Sequence, residues 1–326
     1  MTFIVRTQAL TKRFGNFTAV SDLNLTVQAG DIYGFLGPNG AGKTTTLLML
    51  LGLESPTSGN IQLFGAASNR QSPAIKRRIG VSLEHLSFYD EMTAIEYLLF
   101  FARLYEVREA DRRAQYLLER LQLQDWKNGI IGSFSTGMQR KLALARTLLH
   151  EPELLILDEP ISGLDPFSIV QVRELLLEAN RSGTTILISS HQLSEVERTA
   201  DKIGIIADGK LVTEDTVSNL RQRIQPAHSH VTVELAEVPD GLPALLREQP
   251  FAHTVTRRDN ALTITTNSAT DARLDISKFL ADKGVLIVEM QATTSTLEDA
   301  FITLTASHID HLRDDAEDQH TSPEEA

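Results

Sequence analysis

The chain has 326 residues, of which 42% are hydrophobic, with 31 basic residues, 43 acidic residues and no cysteine. This length and hydrophobic content suit about two folded domains and exclude a wholly disordered chain. The lack of cysteine excludes disulfides, thiol catalysis and Cys-type zinc sites, and the net charge of −12 argues against a general nucleic-acid binder, so no nucleic-acid partner is expected.

Unbroken apolar runs are short, as in Leu47–Leu51, whereas a membrane-spanning helix needs about 20 such residues. The N-terminus has no apolar region followed by a small-residue cleavage site, as a secretory signal requires. We therefore expect a cytoplasmic protein that does not cross a membrane by itself.

The N-terminal part alternates between apolar and polar residues and predicts strands, with turns at Gly15-Asn16 and Ala29–Asp31. The predicted strands are Phe3–Val5, Leu23–Val27 and Ile32–Leu36. From Thr44 to Leu51 the pattern becomes helical.

The middle of the chain combines a helical insertion with strands of a parallel sheet. Between about Glu91 and His150 the apolar residues recur with helical spacing. Leu154–Leu157 and Thr185–Ile188 are continuous apolar runs, as in strands that are buried on both faces. The predicted helix Ser168–Asn180 lies between these strands and completes a βαβ unit.

After about residue 216 the pattern predicts a small βαββαβ-like domain. Its predicted elements are strand Val231–Leu235, helix Leu242–Glu248, hairpin strands His253–Arg257 and Ala261–Thr265, helix Asp271–Lys283 and strand Val285–Met290. Arg223–Ser229, which contains Pro226, is the predicted linker, and a last helix is predicted from Leu297.

The C-terminal segment Asp310–Ala326 carries seven acidic residues and one basic residue, hence a net charge of −6. Since it has almost no apolar residues to bury, the sequence predicts a disordered tail.

A glycine-rich loop, Gly37 to Thr44, follows the strand ending at Leu36 and precedes a helix, which fits the phosphate-binding loop pattern. Glycines let backbone N–H groups approach phosphates, and the helix N-terminus adds positive potential. We expect Lys43 to reach the outer phosphates and Thr44 to bind Mg²⁺. The residues expected to hold the nucleotide are Asn39, Gly40, Ala41, Gly42, Lys43, Thr44 and Thr45.

Two carboxylates follow the apolar run Leu154–Leu157. Ligands of open α/β sheets bind at the carboxyl ends of the strands, which is where Asp158 and Glu159 are predicted to lie. We expect Asp158 to bind Mg²⁺, directly or through water, and Glu159 to polarise the attacking water as the base.

Three further segments resemble motifs of ABC-type ATPases. Phe134–Gln139, about twenty residues before the apolar strand, resembles their signature loop, Ser162–Pro166 their D-loop, and Ile188–His191 their switch histidine. These motifs stand in the family's order over about residues 3–215. The region after residue 217, with Leu297–Phe301, resembles the C-terminal extension of ATPase subunits of ABC-2-type exporters.

The resemblance implies an α/β fold, with a P-loop NTPase core, an antiparallel β subdomain, a helical insertion and a small α+β C-terminal domain. It implies an ABC ATPase domain over residues 1–216, with a helical subdomain at about 86–150. The α+β domain would cover 217–309, followed by the acidic tail over 310–326.

The resemblance also implies an ATP site completed across a head-to-tail dimer. Ser135 and Gly137 of one subunit would meet the γ-phosphate held by Lys43 of the other, with Asp165 of the D-loop also at the nucleotide. His191 would contact the γ-phosphate. Phe14 matches the position whose ring stacks on adenine, and Phe17 is the rival.

Two motifs depart from the family pattern. Glu84 stands where the family usually has the glutamine of the Q-loop; we expect it to act in catalysis and to bind Mg²⁺, although it brings negative charge near the γ-phosphate. In the signature loop, Thr136 replaces the first glycine and Met138 the usual glutamine. Because a β-branched residue restricts the backbone, a working but slower site is expected.

The resemblance favours the ATP-hydrolysing subunit of an exporter, held on the inner face of the cell membrane by a permease on a separate chain. A second ATPase subunit, identical or different, would complete the dimer. The alternatives are an importer ATPase subunit, which shares every catalytic motif, and a soluble ABC ATPase that acts outside transport.

Overall fold

The computed structural model describes residues 2–67, 73–84, 87–223, 229–266 and 272–294. The chain divides near residue 217 into two compact units. The helix predicted from Leu297 and the acidic tail lie outside the described residues, as does most of the linker predicted at 223–229. None of the helices in the described ranges combines the length and apolar character needed to span a membrane.

The first unit is built from short strands and helices that alternate along the chain. Its strands are β1 (Phe3–Phe14), β2 (Phe17–Leu23), β3 (Thr26–Gln28), β4 (Ile32–Leu36), β5 (Ser58–Leu63), β6 (Ala66–Ala67), β7 (Ile79–Ser82), β8 (Leu154–Asp158), β9 (Thr185–Ser190), β10 (Lys202–Ala207) and β11 (Lys210–Thr216). Its helices are α1 (Lys43–Leu50), α2 (Pro73–Lys76), α3 (Ala94–Leu104), α4 (Ala110–Arg120), α5 (Thr136–Leu148), α6 (Pro166–Arg181) and α7 (Leu193–Glu197); α8 (Val217–Arg223) spans the division.

An antiparallel sheet in the order β2-β1-β5-β6 forms around the long strand β1, which also pairs with β3. The prediction of a single strand over Leu23–Val27 is wrong, because Asn24 and Leu25 are not part of a strand and separate β2 from β3. Asp22 adopts a left-handed conformation with φ 49°, and the Asn24 side chain accepts a hydrogen bond from the Ala9 amide at 2.9 Å. These local interactions let the chain pair with two separate parts of β1.

A six-stranded sheet in the order β11-β10-β4-β9-β8-β7 forms the centre of the first unit. All its neighbours pair in parallel except β10 and β11. Every residue of β4, β8 and β9 is buried, as continuous apolar strands covered on both faces require. The carboxyl ends of these three strands therefore meet at one edge of the sheet.

The helical insertion predicted between about Glu91 and His150 is confirmed as α3, α4 and α5, with short 3₁₀ turns at Gln124–Trp126 and Ile131–Ser133. A capping box starts α3: the Thr93 side chain accepts from the Glu96 amide, and the Glu96 carboxylate accepts from the Thr93 amide. The helix α5 returns the chain to the sheet and contacts β7.

The second unit is a βαββαβ arrangement of β12 (Ser229–Leu235), α9 (Leu242–Arg247), β13 (Ala252–Arg258), β14 (Ala261–Thr266), α10 (Arg273–Asp282) and β15 (Ile287–Thr294). Its antiparallel sheet has the order β13-β14-β12-β15. Val233 and Ile264 pack in one core with Leu246 of α9 and Ile276 of α10.

The hairpin predicted around Asp259-Asn260 is confirmed, and Asp259 has a φ of 54° in its turn. The strand predicted at Val285–Met290 is misplaced, because β15 begins at Ile287 and continues to Thr294. Val285 instead lies in the connection after α10, where it is buried in the core of the unit.

We predict that Gly80→Ala destabilises the first unit, because an added Cβ would lie 2.5 Å from the carbonyl oxygen of Thr147 on α5. The backbones of β7 and α5 would have to separate, which lowers the free energy of unfolding by about 1–3 kcal/mol. Trp126, the one tryptophan of the chain, lies in this unit, so its fluorescence during urea unfolding measures the effect. Ser58→Ala, at an exposed site on β5, is the control; equal stability of the two variants would contradict the prediction.

Candidate functional site

A cavity of about 550 Å³ opens beside the ends of β4, β8 and β9. It brings together most of the residues predicted for the nucleotide and its hydrolysis. Those residues are Phe14, Asn39, Gly40, Gly42, Lys43, Thr44, Thr45, Glu84, Asp158, Glu159 and His191. Phe17, Ala19 and Ser162 also line it.

The glycine-rich loop turns sharply from β4 into α1. Gly42 has a φ of 101°, and a Cβ at this position would lie 2.4 Å from the carbonyl oxygen of Ala19. Only glycine combines this backbone conformation with so close an approach. Ala41, which was predicted to hold the nucleotide, is buried and packs in the hydrophobic core below the loop rather than lining the cavity.

Lys43 is the buried cation of the cavity, with 6% of its surface exposed. Its Nζ atom donates to the carbonyl oxygens of Gly37 at 2.7 Å and Pro38 at 3.2 Å, and lies 3.8 Å from Glu159 Oε1. Burial lowers the pKa of Lys43, while the nearby carboxylates of Glu159, Asp158 and Glu84 oppose that shift. The amine therefore lies within its own loop, with neutral carbonyl partners that a phosphate oxygen can replace.

Asp158 is fixed by hydroxyl donors on both of its oxygens. Thr44 Oγ1 donates to Oδ2 at 2.8 Å, and the Ser189 hydroxyl donates to Oδ1. A hydroxyl and a carboxylate are the hard oxygen ligands that Mg²⁺ prefers, so Thr44 and Asp158 fit the ion. Within the described ranges no group of three or more His, Cys, Asp or Glu side chains is arranged to hold a metal ion.

Glu159 follows directly and takes an unusual backbone conformation, with φ 51°. Its side chain is buried, and Oε1 lies 2.9 Å from Nδ1 of His191. The second oxygen, Oε2, is also buried and has no hydrogen-bond partner in the described part of the chain. One carboxylate oxygen is therefore held by histidine, while the other is buried without a hydrogen-bond partner.

Two aromatic rings stand at the mouth of the cavity on the hairpin between β1 and β2. Phe14 is 48% exposed and Phe17 is 63% exposed. The Lys12 amine lies 4.6 Å from the centre of the Phe14 ring and is held there by Glu54 at 2.6 Å. Phe14 is thus the better supported of the two rings for stacking on a flat base.

Ser135, Gly137 and Asp165 do not line this cavity. Ser135 is the N-cap of α5, where its Oγ accepts from the Met138 amide at 3.3 Å, and it is exposed. Asp165 is the N-cap of α6, and its hydrogen bonds with Ser168 lower its pKa. These three residues therefore lie apart from the other predicted site residues, and their contact with a nucleotide stays a prediction.

The sequence interpretation missed Arg140, whose Nη1 donates to the backbone carbonyl of Glu159 at 3.1 Å. A single bond to a distant carbonyl leaves no pattern in the sequence. It also missed the role of Ser189, which pairs with Asp158 across β8 and β9. A small polar residue at the end of a buried strand next to Asp158 is a signal that could have identified Ser189.

Comparison with known proteins places these features in a family. Residues 20–162 match the family model described as ABC transporter. The chain is 39% identical to the bacitracin transport ATP-binding protein BcrA of Bacillus licheniformis over 93% of this chain and 98% of that protein. It is 34% identical to a fluoroquinolones export ATP-binding protein of Mycobacterium tuberculosis over 82% of this chain and 90% of that protein. A solved structure of the ATP binding subunit of an ABC transporter matches with a TM-score of 0.63 and 30% identity, covering 68% of this chain and 92% of that one.

We predict that Phe14→Ala weakens ATP binding about tenfold, because the adenine loses its stacking partner; stacking on an aromatic ring contributes about 1–3 kcal/mol per base. Phe17→Ala is the matched control and should change the affinity less than twofold. Equilibrium titration with ATP measures both. A larger loss with Phe17→Ala would assign the stacking role to Phe17.

Proposed function

Because this chain belongs to the ATP-binding subunits of the ABC transporter family, we propose that it drives export through a separate transmembrane permease by closing head to tail on a second ATPase subunit. The ATP-hydrolysing activity belongs to the family. The observation that carries the proposal is the division of the site. Lys43, Asp158, Glu159 and His191 share one cavity, whereas the signature residues lie outside it.

In the proposed hydrolysis, Glu159 accepts a proton from the water that attacks the γ-phosphorus. The bond between the γ-phosphorus and the oxygen that bridges to the β-phosphate breaks, and ADP leaves with that oxygen. Oε2 of Glu159, which is buried without a hydrogen-bond partner, is the proposed acceptor and would have to turn toward the attacking water, while His191 holds Oε1. Lys43 would exchange its carbonyl partners for the outer phosphates, where its positive charge stabilises the negative charge that accumulates.

Thr44 and Asp158 are the proposed ligands of Mg²⁺. When bound, the ion would neutralise charge on the phosphate oxygens. Glu84 lines the same cavity and is exposed, so its carboxylate can contact a nucleotide bound there. We assign it the metal-binding and coupling role that a glutamine has in the family pattern.

The second subunit supplies what the cavity lacks. Ser135 and Thr136 are exposed at the N-terminus of α5, a helix of 13 residues whose first amides and positive dipole favour an anion. In the proposed dimer, Ser135 and Gly137 contact the γ-phosphate bound to Lys43 of the partner. Asp165 would order the D-loop at the contact between the two subunits, because its side chain accepts a hydrogen bond from the Ser168 amide and so caps α6.

An exposed apolar face on the helical insertion is the proposed contact with the permease. It consists of Tyr89, Phe100 and Leu104, which are 52%, 41% and 61% exposed. The rings of Tyr89 and Phe100 meet edge to face with centroids 5.6 Å apart. A membrane partner would cover these side chains and hold the chain on the inner face of the cell membrane.

The proposed domains are the ATPase over residues 1–216, the α+β extension over 217–309 and the acidic tail over 310–326. The transported substrate is proposed to be related to bacitracin or to fluoroquinolones, because the relatives carry these names. In this proposal the permease provides the translocation path and selects the substrate.

We predict that Glu159→Gln lowers ATP turnover at least about 100-fold, because an amide cannot take the proton from water. The variant should still bind ATP and should accumulate as an ATP-dependent dimer in size-exclusion chromatography. Glu153→Gln is the matched control, since this exposed carboxylate at the opposite end of β8 pairs with Arg78. A Glu159→Gln chain with wild-type turnover would refute the base assignment, and one that stays monomeric with ATP would refute the dimer.

We predict that Tyr89→Ser combined with Phe100→Ser abolishes binding to the permease but keeps the ATPase rate of the isolated chain within about twofold, because both rings lie outside the nucleotide cavity. The measurement is co-purification from detergent extracts with a polytopic membrane protein that the wild-type chain retains. Leu53→Ser, at an apolar residue 61% exposed elsewhere on the first unit, is the control. Full retention of the membrane protein by the double variant would contradict this surface.

ATP-driven efflux tests the whole proposal. Cells that express the chain with its permease should exclude bacitracin-type compounds, and the Glu159→Gln chain should remove that protection. Uptake in place of efflux would instead identify an importer subunit.

A further inference from the structure

The helix α5 touches two different parts of the catalytic machinery. Its N-cap, Ser135, is a signature residue, and Arg140 on its second turn reaches Glu159 of the same chain. Ser135 and Arg140 are five positions apart, which corresponds to a rise of about 7.5 Å along the axis of an α-helix. A single rigid element thus joins the surface offered to a partner's nucleotide to the base of the chain's own site.

The bond from Arg140 acts on a strained point of the backbone. Glu159 has a φ of 51°, a left-handed conformation that residues with a side chain adopt only at a cost. Three backbone hydrogen bonds hold it there: its amide donates to Ser189, and its carbonyl accepts from the Ser162 amide at 3.3 Å and from Arg140 at 3.1 Å. Arg140 supplies the one charged donor of the three, and charged donors make the stronger bonds.

This backbone conformation directs the Glu159 carboxylate. The turn at Glu159 leads from β8 to the D-loop, so a change in its torsion angles moves Oε1 and Oε2 relative to Lys43 and His191. Arg140 also lines a small cavity together with Glu84, Asp158 and Glu159. It is not among the residues lining the nucleotide cavity, and its hydrogen bond to the Glu159 carbonyl is the contact through which we expect it to act.

We propose that Arg140 is a positioning residue that holds the backbone of Glu159 against α5. Binding of Ser135 to the partner subunit's nucleotide would then set the orientation of the Glu159 carboxylate in the site of the same chain. The inference rests on the head-to-tail dimer of the proposed function. ATP bound at one site then influences hydrolysis at the other. The helix α5 that closes one site through Ser135 also holds, through Arg140, the Glu159 base of the other site. Positive cooperativity follows from this linkage.

The test compares steady-state ATP hydrolysis by the full-length wild type, Arg140→Met, Arg140→Lys and Lys141→Met. With Arg140→Met, kcat should fall about tenfold, the loss expected for one charge-assisted bond, while KM for ATP stays within about twofold. The Hill coefficient should fall from between 1 and 2 in the wild type to about 1. Arg140→Lys should recover both values, since lysine retains a charged donor for this single acceptor.

Lys141→Met is the matched control, since it removes a charge from the next residue of α5, which donates to Gln171 at 3.0 Å instead. It should leave kcat and the Hill coefficient unchanged. ATP-dependent dimerisation of Arg140→Met in the Glu159→Gln background should also be intact, because the signature end of α5 is unaltered. That result separates positioning from misfolding.

Unchanged kcat in Arg140→Met, or a lower kcat with the wild-type Hill coefficient, would overturn the inference. A parallel rise in KM would overturn it as well, because it would place Arg140 in nucleotide binding. If the wild type itself stays monomeric with ATP, the proposed dimer fails. If the wild type dimerises and is cooperative while Arg140→Met matches it, the inference alone fails.

Discussion

Two adjacent carboxylates at the end of β8 constrain the rest of the first unit. Asp158 and Glu159 are only 2% and 6% exposed, and neighbouring negative charges removed from water are costly unless donors and cations surround them. Lys43 and Thr44 come from the loop after β4, and Ser189 and His191 from the end of β9. The parallel order β4-β9-β8 is what brings these groups to one place.

In the proposed dimer, a second subunit completes the site that these strands build. Asp165 caps α6, which follows β8, and Ser135 caps α5, which precedes it; both residues lie outside the cavity. A site divided in this way can be switched by association, since neither half needs to change its fold. In the proposed function, the exposed face of Tyr89, Phe100 and Leu104 would pass movement on to the membrane partner.

Sequence reasoning succeeded where spacing or periodicity is dictated by chemistry. The loop from Gly37 to Thr44 and the apolar strands β8 and β9 fall where their patterns predict. Sequence reasoning failed at Leu23–Val27, where a left-handed Asp22 and the Asn24 side chain interrupt an alternating pattern. It made no prediction for the edge strand β11, whose residues are half-buried or exposed without alternation. The contact of Arg140 with Glu159 could not be predicted from the sequence, because its acceptor is a backbone carbonyl and every residue has such a group.

The position of β4 has a consequence for how the chain is made. Its five residues are all buried, yet its neighbours in the sheet are β9 and β10, which begin at residues 185 and 202. At about 5–20 residues per second, a ribosome needs roughly 10–30 s to supply those neighbours after β4 emerges. For that interval the apolar strand and its glycine-rich loop lack both of their partners in the sheet, and the hydrophobic side chains of β4 stay exposed to other chains.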